Sequence, residues 1–508
     1  MLPFRAVSER HLLWLAMLPG VWLCAAMPVF AQESYYWAYA QHPALSYFDH
    51  PPMVAWMIWL GTQAFGDGAL GIRLLTLLCG CANLLAGHAL LAAFGAGEGA
   101  RRAWLLFASC APILMMTRFL ANPDPPLVAF WLLCMFALWQ ARSGSLRWWL
   151  VAGLCAGGAL LSKYSAAFLA PAGLLLLVFD PAMRRQWRRP GPWLGVAVAA
   201  VVFSPVVVWN VRNGGESIAF QTTERWSNGA LTWRWLCELV GGQIGVFNPV
   251  IAVLLPAAVL WLLVRARGRD GAPDVRALWL LAFGLPLPLY MLGNAAFMLV
   301  KINWLAPAYP ALLLGLSLWW DESDFCVRHP VGARRLGLAL ASVLVIVPLA
   351  PLIRLYPQPR GSSWAGWSEL AACAEKWEEK IDPEDGIEGN VFFFAADYKD
   401  ASQLTRHLHI LDEDLPPAHA LEPILAQNVL GERALQFDHW SQPSSHLGQD
   451  AIFVLPRATE RGSVVDKVKQ HFASVEMVEE VSIDTLGFHL MTADIYVCRA
   501  YRGPLSTH

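Results

Sequence analysis

The sequence predicts a polytopic α-helical membrane protein with a soluble α/β domain at its C-terminal end, on three observations. Of its 508 residues, 56% are hydrophobic and only 15% are charged, which is too apolar for a soluble protein of this length. Apolar runs long enough to cross a membrane recur from Leu12 to Leu355. No such run follows Leu355, so the last third of the chain must fold in another way.

The charged residues divide at the same point. Residues 356–508 hold 12 Lys and Arg against 24 Asp and Glu, whereas residues 1–355 hold 25 against 15. The net charge of −2 therefore conceals a basic membrane part and an acidic soluble part. A basic membrane part suits anionic headgroups and phosphate, and the sequence has no Arg-rich surface for nucleic acid. We expect a membrane domain over 1–355 and a soluble domain over 356–508, joined by the linker "PQPRGSS" at 357–363.

Gly, Pro and charged clusters divide the apolar part into about eleven predicted spans. These are residues 12–30, 69–94, 103–120, 126–141, 148–162, 165–180, 193–210, 236–264, 275–293, 302–320 and 335–354. An N-terminus in the cytoplasm places every strongly basic loop inside, as the positive-inside rule requires, and leaves the acidic domain outside, in the periplasm of a Gram-negative cell. A signal peptide cleaved after Ala31 is the alternative for the first span, but its apolar run of about 19 residues favours a retained helix.

Hydrophobic patterning in the acidic domain predicts alternating helices and strands. Helices are expected over 362–381, 397–408 and 461–472, and strands over 390–396, 451–456 and 488–501. Cys373 and Cys498 are its only cysteines, and their spacing leaves a disulfide between them open. Because no phosphate loop or metal-ligand spacing occurs in this domain, we expect it to support the fold or to dock an acceptor.

The stretch "YFDHPP" at 47–52 ends a long outer loop, 31–68, that has no topological need for its length. Its tandem prolines fix an extended backbone before an interfacial helix, "MVAWMIWLGTQAFG", and so direct Asp49 and His50 toward the membrane surface. The turn "NPDPPL" brings Asp124 to the same face. Arg118 is the nearest candidate partner for Asp124, and capping of the following helix is the structural alternative for this aspartate.

Five cations depart from the positive-inside pattern and map to the outer face. They are Arg73, Lys163, Arg212, Arg225 and Lys301. Each alone could be a snorkelling side chain, but together with the nearby carboxylates they indicate a site for an anionic, lipid-linked molecule. A carboxylate can deprotonate an acceptor hydroxyl or amine while cations stabilise a phosphate leaving group. No metal-binding motif is present, and a divalent metal held by dispersed carboxylates stays open.

Several blocks of the sequence resemble, in order, the polyprenyl-phosphate-sugar-dependent glycosyltransferases of the GT-C type. The resemblance is to the bacterial branch (glycosyltransferase family 39/83-like) related to protein O-mannosyltransferases and to the lipid A aminoarabinose transferase. Its blocks are "ESYYWAYAQHPALSYFDHPPMVAW", "FGDGALGIRLL", "NPDPPLVAFW", "LLSKYSAAFLAP", "SPVVVWNVRNGGESIAF", "KINWLAPAYP" and "FFFAADYKDASQL". The resemblance implies a GT-C fold and an inverting transferase, active on the periplasmic side of the bacterial inner membrane, that uses an undecaprenyl-phosphate-type donor.

The resemblance also implies roles for single residues, which we take as predictions. The catalytic candidates are Asp49, Glu33 and Asp124; the donor-phosphate candidates are His50, Lys163, Arg225 and Lys301; the acceptor-pocket candidates are Tyr36 and Tyr47. Gln32 stands where the family usually has the first acid of a pair, and an amide cannot act as a base at neutral pH. Glu33 or Asp49 would then take that role, the acceptor would be activated differently, or transfer activity has been lost.

The expected partners are a polyprenyl-phosphate sugar, the lipid bilayer and an acceptor that is a glycolipid such as lipid A, a polysaccharide or a protein. Two other functions remain alternatives. A flippase for a lipid-linked sugar would show charged residues in mid-span and two similar halves, which the sequence lacks. A non-catalytic scaffold with an acidic recruiting tail would explain Gln32.

Overall fold

The computed structural model describes residues 8–223, 231–268, 272–355, 364–381, 391–411, 424–456 and 461–504. The chain divides into two compact units. The membrane unit comprises Met1–Ala25, His50–Met57 and Arg73–Pro348. The C-terminal unit comprises Ala26–Asp49, Ile58–Ile72 and Leu349–His508.

Helices make up nearly all of the described chain as far as residue 346. They are α1 (Glu9–Ala26), α2 (Ala31–Gln41), α3 (Met53–Phe65), α4 (Ala69–Ala93), α5 (Glu98–Cys110), α6 (Pro112–Met116), α7 (Asp124–Ala141), α8 (Leu146–Ser162), α9 (Leu169–Phe179), α10 (Pro181–Gln186), α11 (Pro190–Arg212), α12 (Glu216–Thr222), α13 (Trp233–Phe247), α14 (Pro249–Arg267), α15 (Val275–Gly284), α16 (Pro286–Asn294), α17 (Tyr309–Glu322), α18 (Phe325–Arg328) and α19 (Pro330–Ile346). Segments of 3-10 helix occupy Tyr164–Phe168, Ile302–Ala308 and Val347–Leu355.

Seven helical stretches within the described residues are long and apolar enough to cross a membrane. They are Ala69–Ala93, Asp124–Ala141, Pro190–Arg212, Pro249–Arg267, Val275–Asn294, Ile302–Glu322 and Pro330–Leu355. The shorter apolar helices include α3 and α8. The prediction of a polytopic helical membrane protein is confirmed, whereas the exact count of eleven spans is not.

Two predicted spans are broken by a local backbone signal. Within the span predicted over 236–264, α13 ends at Phe247 and α14 begins after Asn248. The helix breaks there because Asn248 has a φ of 78° and its side chain accepts from Val250 N at 3.0 Å. Pro249 then opens α14 at a position where no backbone N–H is needed. The span predicted over 103–120 is broken at Ala111, which is extended before Pro112, as the residue before a proline prefers.

The C-terminal unit contains a four-stranded sheet of order β1-β2-β4-β3. Its strands are β1 (Val391–Ala395), β2 (Asp450–Pro456), β3 (Phe472–Thr485) and β4 (Phe488–Tyr501), and its helices after residue 364 are α20 (Trp367–Ile381), α21 (Tyr398–Leu411), α22 (Phe437–Trp440) and α23 (Arg461–His471). β1 pairs with β2 in parallel, and the other pairs are antiparallel. The aromatic rings of Phe394, Phe453 and Phe472 form the centre of its core.

All six elements predicted after residue 361 are confirmed, whereas the strand β3 and the short helix α22 were missed. β3 lies at the edge of the sheet and carries Glu476, Glu479 and Glu480, so its hydrophobic alternation is weak. The cysteine pair left open by the sequence does not form a disulfide, since Cys373 and Cys498 are both free thiols. The linker at 357–363 lies outside the described residues.

The predicted loop 31–68 contains two helices. α3 coincides with the expected interfacial helix, whereas α2 was not predicted. α2 belongs to the C-terminal unit and is held against α21 by a buried hydrogen bond of 2.7 Å from Ser34 Oγ to Gln403 Oε1. Almost every side chain of α2 is buried, which is why its aromatic residues show no amphipathic period.

Candidate active site

Asp124 and Lys163 form an ion pair in the membrane unit. Lys163 Nζ lies 2.6 Å from Asp124 Oδ1, and the two side chains are 11% and 6% exposed. The second carboxylate oxygen, Oδ2, accepts a hydrogen bond of 2.6 Å from Asn303 Nδ2. Each oxygen of this nearly buried carboxylate therefore has its own donor, which offsets much of the cost of burying the charge.

The helical hairpin of α7 and α8 explains why two residues so far apart in sequence meet. Asp124 is the first residue of α7, and Lys163 directly follows the end of α8. Only residues 142–145 connect the two helices, so the start of α7 and the end of α8 lie at the same end of the hairpin. Lys163 is extended, with φ −161° and ψ 142°, and marks the change from α-helix to 3-10 helix.

Arg118 does not pair with Asp124, and this prediction was wrong. Its guanidinium is buried and donates to the backbone carbonyls of Ala16 and Ala108, each at 2.8 Å. A Cβ atom at Gly20 or Gly80 would come within 2.8 or 2.6 Å of this side chain, so Arg118 fills a slot that only glycine leaves open. Arg118 therefore links α1 to α5 through its hydrogen bonds, and Lys163 is the cation that pairs with Asp124.

The other predicted cations have varied surroundings. Arg73 is fully buried and donates to the carbonyl of Cys24 at 3.2 Å, which favours a structural role. Lys301 and Arg212 are exposed and His50 is half-buried, and all three belong to the membrane unit. Arg225 lies outside the described residues. The contributions of His50, Arg225 and Lys301 to donor binding stay predictions.

Asp49 lies in a buried network of hydroxyl and amide groups in the C-terminal unit. The Tyr35 hydroxyl donates to Asp49 Oδ1 at 3.0 Å, and the Tyr39 hydroxyl donates to the same oxygen. Gln436 holds the neighbourhood together, because its backbone N–H donates to the Tyr35 hydroxyl at 3.2 Å and its Oε1 accepts from Phe48 N at 2.7 Å. With Asp49 only 5% exposed, these donors fix the orientation of its carboxylate.

The remaining predicted residues of this unit contribute to local structure. Glu33 is fully buried, and its Oε2 accepts from Phe30 N at 3.0 Å, which caps the start of α2. The Tyr47 hydroxyl contacts the carbonyls of Tyr39 at 2.9 Å and His42 at 3.1 Å. Tyr36 is buried. Catalysis by Glu33 and acceptor contact by Tyr36 and Tyr47 stay predictions.

No group of three or more His, Cys, Asp or Glu side chains within the described ranges has the geometry to hold a metal ion.

Four residues that bond to Asp124 or lie in the network around Asp49 were not predicted from the sequence. Tyr35 and Tyr39 are four residues apart and would have been aligned if α2 had been predicted as a helix. Asn303 lies within the block "KINWLAPAYP" but was not singled out, and Gln436 lies outside the quoted blocks. Both amides reach their partners only through tertiary structure.

Comparison with known proteins shows which family, relatives and solved structures this chain is similar to. Residues 49–209 match the dolichyl-phosphate-mannose-protein mannosyltransferase family. The chain is 30% identical over 337 residues to the lipid A galacturonosyltransferase RgtD of Rhizobium johnstonii, covering 65% of this chain and 67% of the relative. It is 29% identical over 351 residues to the undecaprenyl phosphate-alpha-4-amino-4-deoxy-L-arabinose arabinosyl transferase of Pseudomonas paraeruginosa, covering 62% of this chain and 58% of that protein.

The fold is similar to that of ArnT from Cupriavidus metallidurans. The crystal structure of its apo state has a TM-score of 0.62 at 16% identity and covers 96% of this chain and 97% of that one. The crystal structure of its undecaprenyl phosphate-bound state has a TM-score of 0.55 at 16% identity, with the same coverage. Fold and sequence together define a polytopic membrane glycosyltransferase. The chain belongs to the GT-C glycosyltransferase family that includes these relatives.

Proposed function

We propose that this protein transfers a sugar from a polyprenyl-phosphate donor, such as an undecaprenyl-phosphate sugar, to lipid A or another glycolipid at the periplasmic face of the bacterial inner membrane. The observation that carries the proposal is the nearly buried Asp124–Lys163 pair. Support also comes from the relatives, which are named as a lipid A galacturonosyltransferase and as an undecaprenyl phosphate-alpha-4-amino-4-deoxy-L-arabinose arabinosyl transferase. Polysaccharide and protein acceptors remain outcomes of the test.

Lys163 is the proposed contact to the donor phosphate. A lysine ammonium has three N–H donors, and within the described residues its hydrogen-bond partner is Asp124 Oδ1. Two N–H groups are then available to phosphate oxygens, while Asp124 compensates the charge when no donor is bound. As the bond to the sugar breaks, the positive charge stabilises the phosphate that leaves.

Asp49 is the proposed base. It takes the proton from the acceptor hydroxyl or amine as the acceptor oxygen or nitrogen bonds to the anomeric carbon of the sugar. The bond from that carbon to the phosphate oxygen breaks, and its electron pair leaves with the polyprenyl phosphate. A single displacement of this kind inverts the anomeric carbon. Glu33, the other carboxylate proposed for this role from the sequence, is fully buried and caps the start of α2.

The first test is mass spectrometry of envelope glycolipids and polysaccharide from cells with and without the gene. We expect a sugar-sized mass to disappear with the gene, to return with the wild type and to stay absent with Asp49→Asn. Asp324→Asn is the matched control, because Asp324 is an exposed carboxylate paired with Arg328 and should restore the mass fully.

Two outcomes would contradict the proposal. Full transfer by Asp49→Asn at normal membrane abundance would remove Asp49 from the reaction. No mass change in any fraction, with the wild-type protein abundant, would instead support the non-catalytic scaffold that Gln32 leaves open.

Lys163→Ala tests the donor contact. Because a hydrogen bond to a charged group contributes about 1.5–3 kcal/mol, we expect the apparent KM for the lipid-phosphate donor to rise about tenfold or more. Lys163→Arg should recover part of the loss, since it restores a cation. Steady-state kinetics at varied donor concentration measure both. An unchanged donor dependence in Lys163→Ala would place the phosphate elsewhere.

A further inference from the structure

We propose that Asn303 is a positioning residue that orients the Asp124–Lys163 pair and thereby sets how the lysine ammonium is presented to the donor phosphate. The identity of the donor in this inference rests on the proposed function. The positioning role itself follows from contacts within the membrane unit, to which all three residues belong. Asn303 lies in the block "KINWLAPAYP", where the sequence analysis singled out only Lys301.

Asn303 is the second of two hydrogen-bond donors to the carboxylate of Asp124. Asn303 Nδ2 lies 2.6 Å from Asp124 Oδ2, and Lys163 Nζ lies 2.6 Å from Asp124 Oδ1. A carboxylate held through one oxygen can rotate about its side-chain torsion, whereas one held through both oxygens cannot without breaking a bond. The position of Lys163 Nζ is therefore determined jointly by its own side chain and by Asn303.

The backbone that carries Asn303 is itself fixed. The carbonyl of the preceding residue, Ile302, lies 3.3 Å from Gln243 Nε2 and 3.2 Å from the Tyr309 hydroxyl. The single proton of the Tyr309 hydroxyl is shared between this carbonyl and Gln243 Oε1. Gln243 lies in α13 and Tyr309 opens α17, so contacts from two helices hold the start of the 3-10 segment Ile302–Ala308. Asn303 thus transmits a fixed backbone position to the carboxylate.

An amide has the right chemistry for this role because it is a neutral donor. A second cation at residue 303 would compete with Lys163 for Asp124, whereas an aspartate would place two acceptors against each other. With asparagine, the pair keeps one negative and one positive charge. Since both oxygens of Asp124 already accept hydrogen bonds, Asp124 is suited to orienting the lysine.

The test measures binding of undecaprenyl phosphate to the purified full-length protein, a readout that needs no transfer. We expect Asn303→Ala to raise the Kd about threefold to tenfold, the range expected for one hydrogen bond. Asn303→Asp, which keeps the size of the side chain, should weaken binding at least as much, and Asn303→Gln should restore part of it. Asn294→Ala is the matched control, because its amide bonds only to the carbonyl of Tyr290 within the described chain and should leave the Kd unchanged.

A double variant separates positioning from general destabilisation. If Asn303 acts through Lys163, then Lys163→Ala combined with Asn303→Ala should bind no more weakly than Lys163→Ala alone. Multiplied effects, or a wild-type Kd in both Asn303→Ala and Asn303→Asp, would overturn the inference while leaving the proposed function intact. Failure of the wild-type protein to bind undecaprenyl phosphate or to transfer a sugar would instead overturn the proposed function.

Discussion

Asp400 is a carboxyl group whose pKa is far from its ordinary value. Burial raises its pKa to about 7, the nearby charge of Asp397 acts in the same direction, and Lys399 opposes them. Its Oδ1 is inaccessible to solvent and has no hydrogen-bond partner in the part of the chain that the structure describes. The folded protein therefore keeps a proton that the unfolded chain loses near pH 3.8. The contribution of Asp400 to the free energy of unfolding therefore falls as the pH rises from about 4 to about 7 and then stays at the lower value.

Asp400→Asn should remove this loss, because the amide is neutral in both states. We expect the variant to be more stable than the wild type at pH 8 by about 1–3 kcal/mol, because the buried carboxylate is charged there and the amide is not, and about equally stable at pH 4. Thermal unfolding of the detergent-solubilised protein across this pH range measures the difference. Asp466→Asn, at an exposed carboxylate paired with Lys469, should follow the wild type. Parallel pH profiles for Asp400→Asn and the wild type would contradict the assignment.

At this scale the sequence identified charged residues better than it identified their partners. Asp124 and Lys163 were both singled out, yet Asp124 was matched with Arg118, the nearest cation along the chain. The real partner lies 39 residues away, across a helical hairpin, and Arg118 instead bonds to backbone carbonyls. Local sequence shows that a membrane charge needs compensation, but the choice of partner depends on which helix ends meet.

Among the helices, α8 and α11 make an unusually close approach. A Cβ atom at Gly153 in α8 would lie 2.3 Å from the carbonyl oxygen of Gly195 in α11. Gly195 in turn faces the backbone of Trp149, where a Cβ atom would lie 2.9 Å from the carbonyl oxygen. Backbone contact of this kind is how helices gain packing energy in lipid, where the hydrophobic effect does not drive helices together.

Gly153→Ala should force these helices apart. We expect a loss of about 1–3 kcal/mol, as for other overpacked sites, seen as a lower unfolding temperature in detergent and less protein in the membrane. Gly173→Ala in α9 is the control, because a Cβ atom there meets nothing within 4 Å. That variant should match or slightly exceed the wild type, since alanine favours helix over glycine. If the two variants behave alike, the close approach does not contribute to stability.

Secondary structure was predictable where hydrophobic period and length agreed. The six elements expected after residue 361 are all present, because short apolar runs mark the buried strands and amphipathic periods mark the helices. α2 was missed because it is buried on nearly every side. The break between α13 and α14 at Asn248 was missed because one asparagine with a positive φ, followed by proline, hardly changes the mean hydropathy of an apolar segment.

At the scale of the whole chain, the change in composition and the two compact units divide the sequence at different positions. Charge and hydropathy change near residue 356, which is where the sequence places a domain boundary. By contrast, the C-terminal unit also includes Ala26–Asp49 and Ile58–Ile72, far earlier in the chain. The Ser34–Gln403 and Phe48–Gln436 hydrogen bonds, between residues more than 360 positions apart, hold the first of these segments there. Contacts of such separation leave no local signal, so the grouping could not be predicted from the sequence.

The charge distribution makes a prediction about orientation in the membrane. Arg265 and Arg267 end α14 in a strongly basic loop, which the positive-inside rule assigns to the cytoplasm, whereas the acidic residues after 356 are assigned to the periplasm. Alkaline phosphatase, active only outside the cytoplasm, should therefore be active when fused after Leu355 and inactive when fused after Arg267. Green fluorescent protein, which folds in the cytoplasm, should give the opposite pattern at the two positions. Fluorescence from the Leu355 fusion would place the acidic residues inside, and a reaction on the periplasmic face would then be untenable.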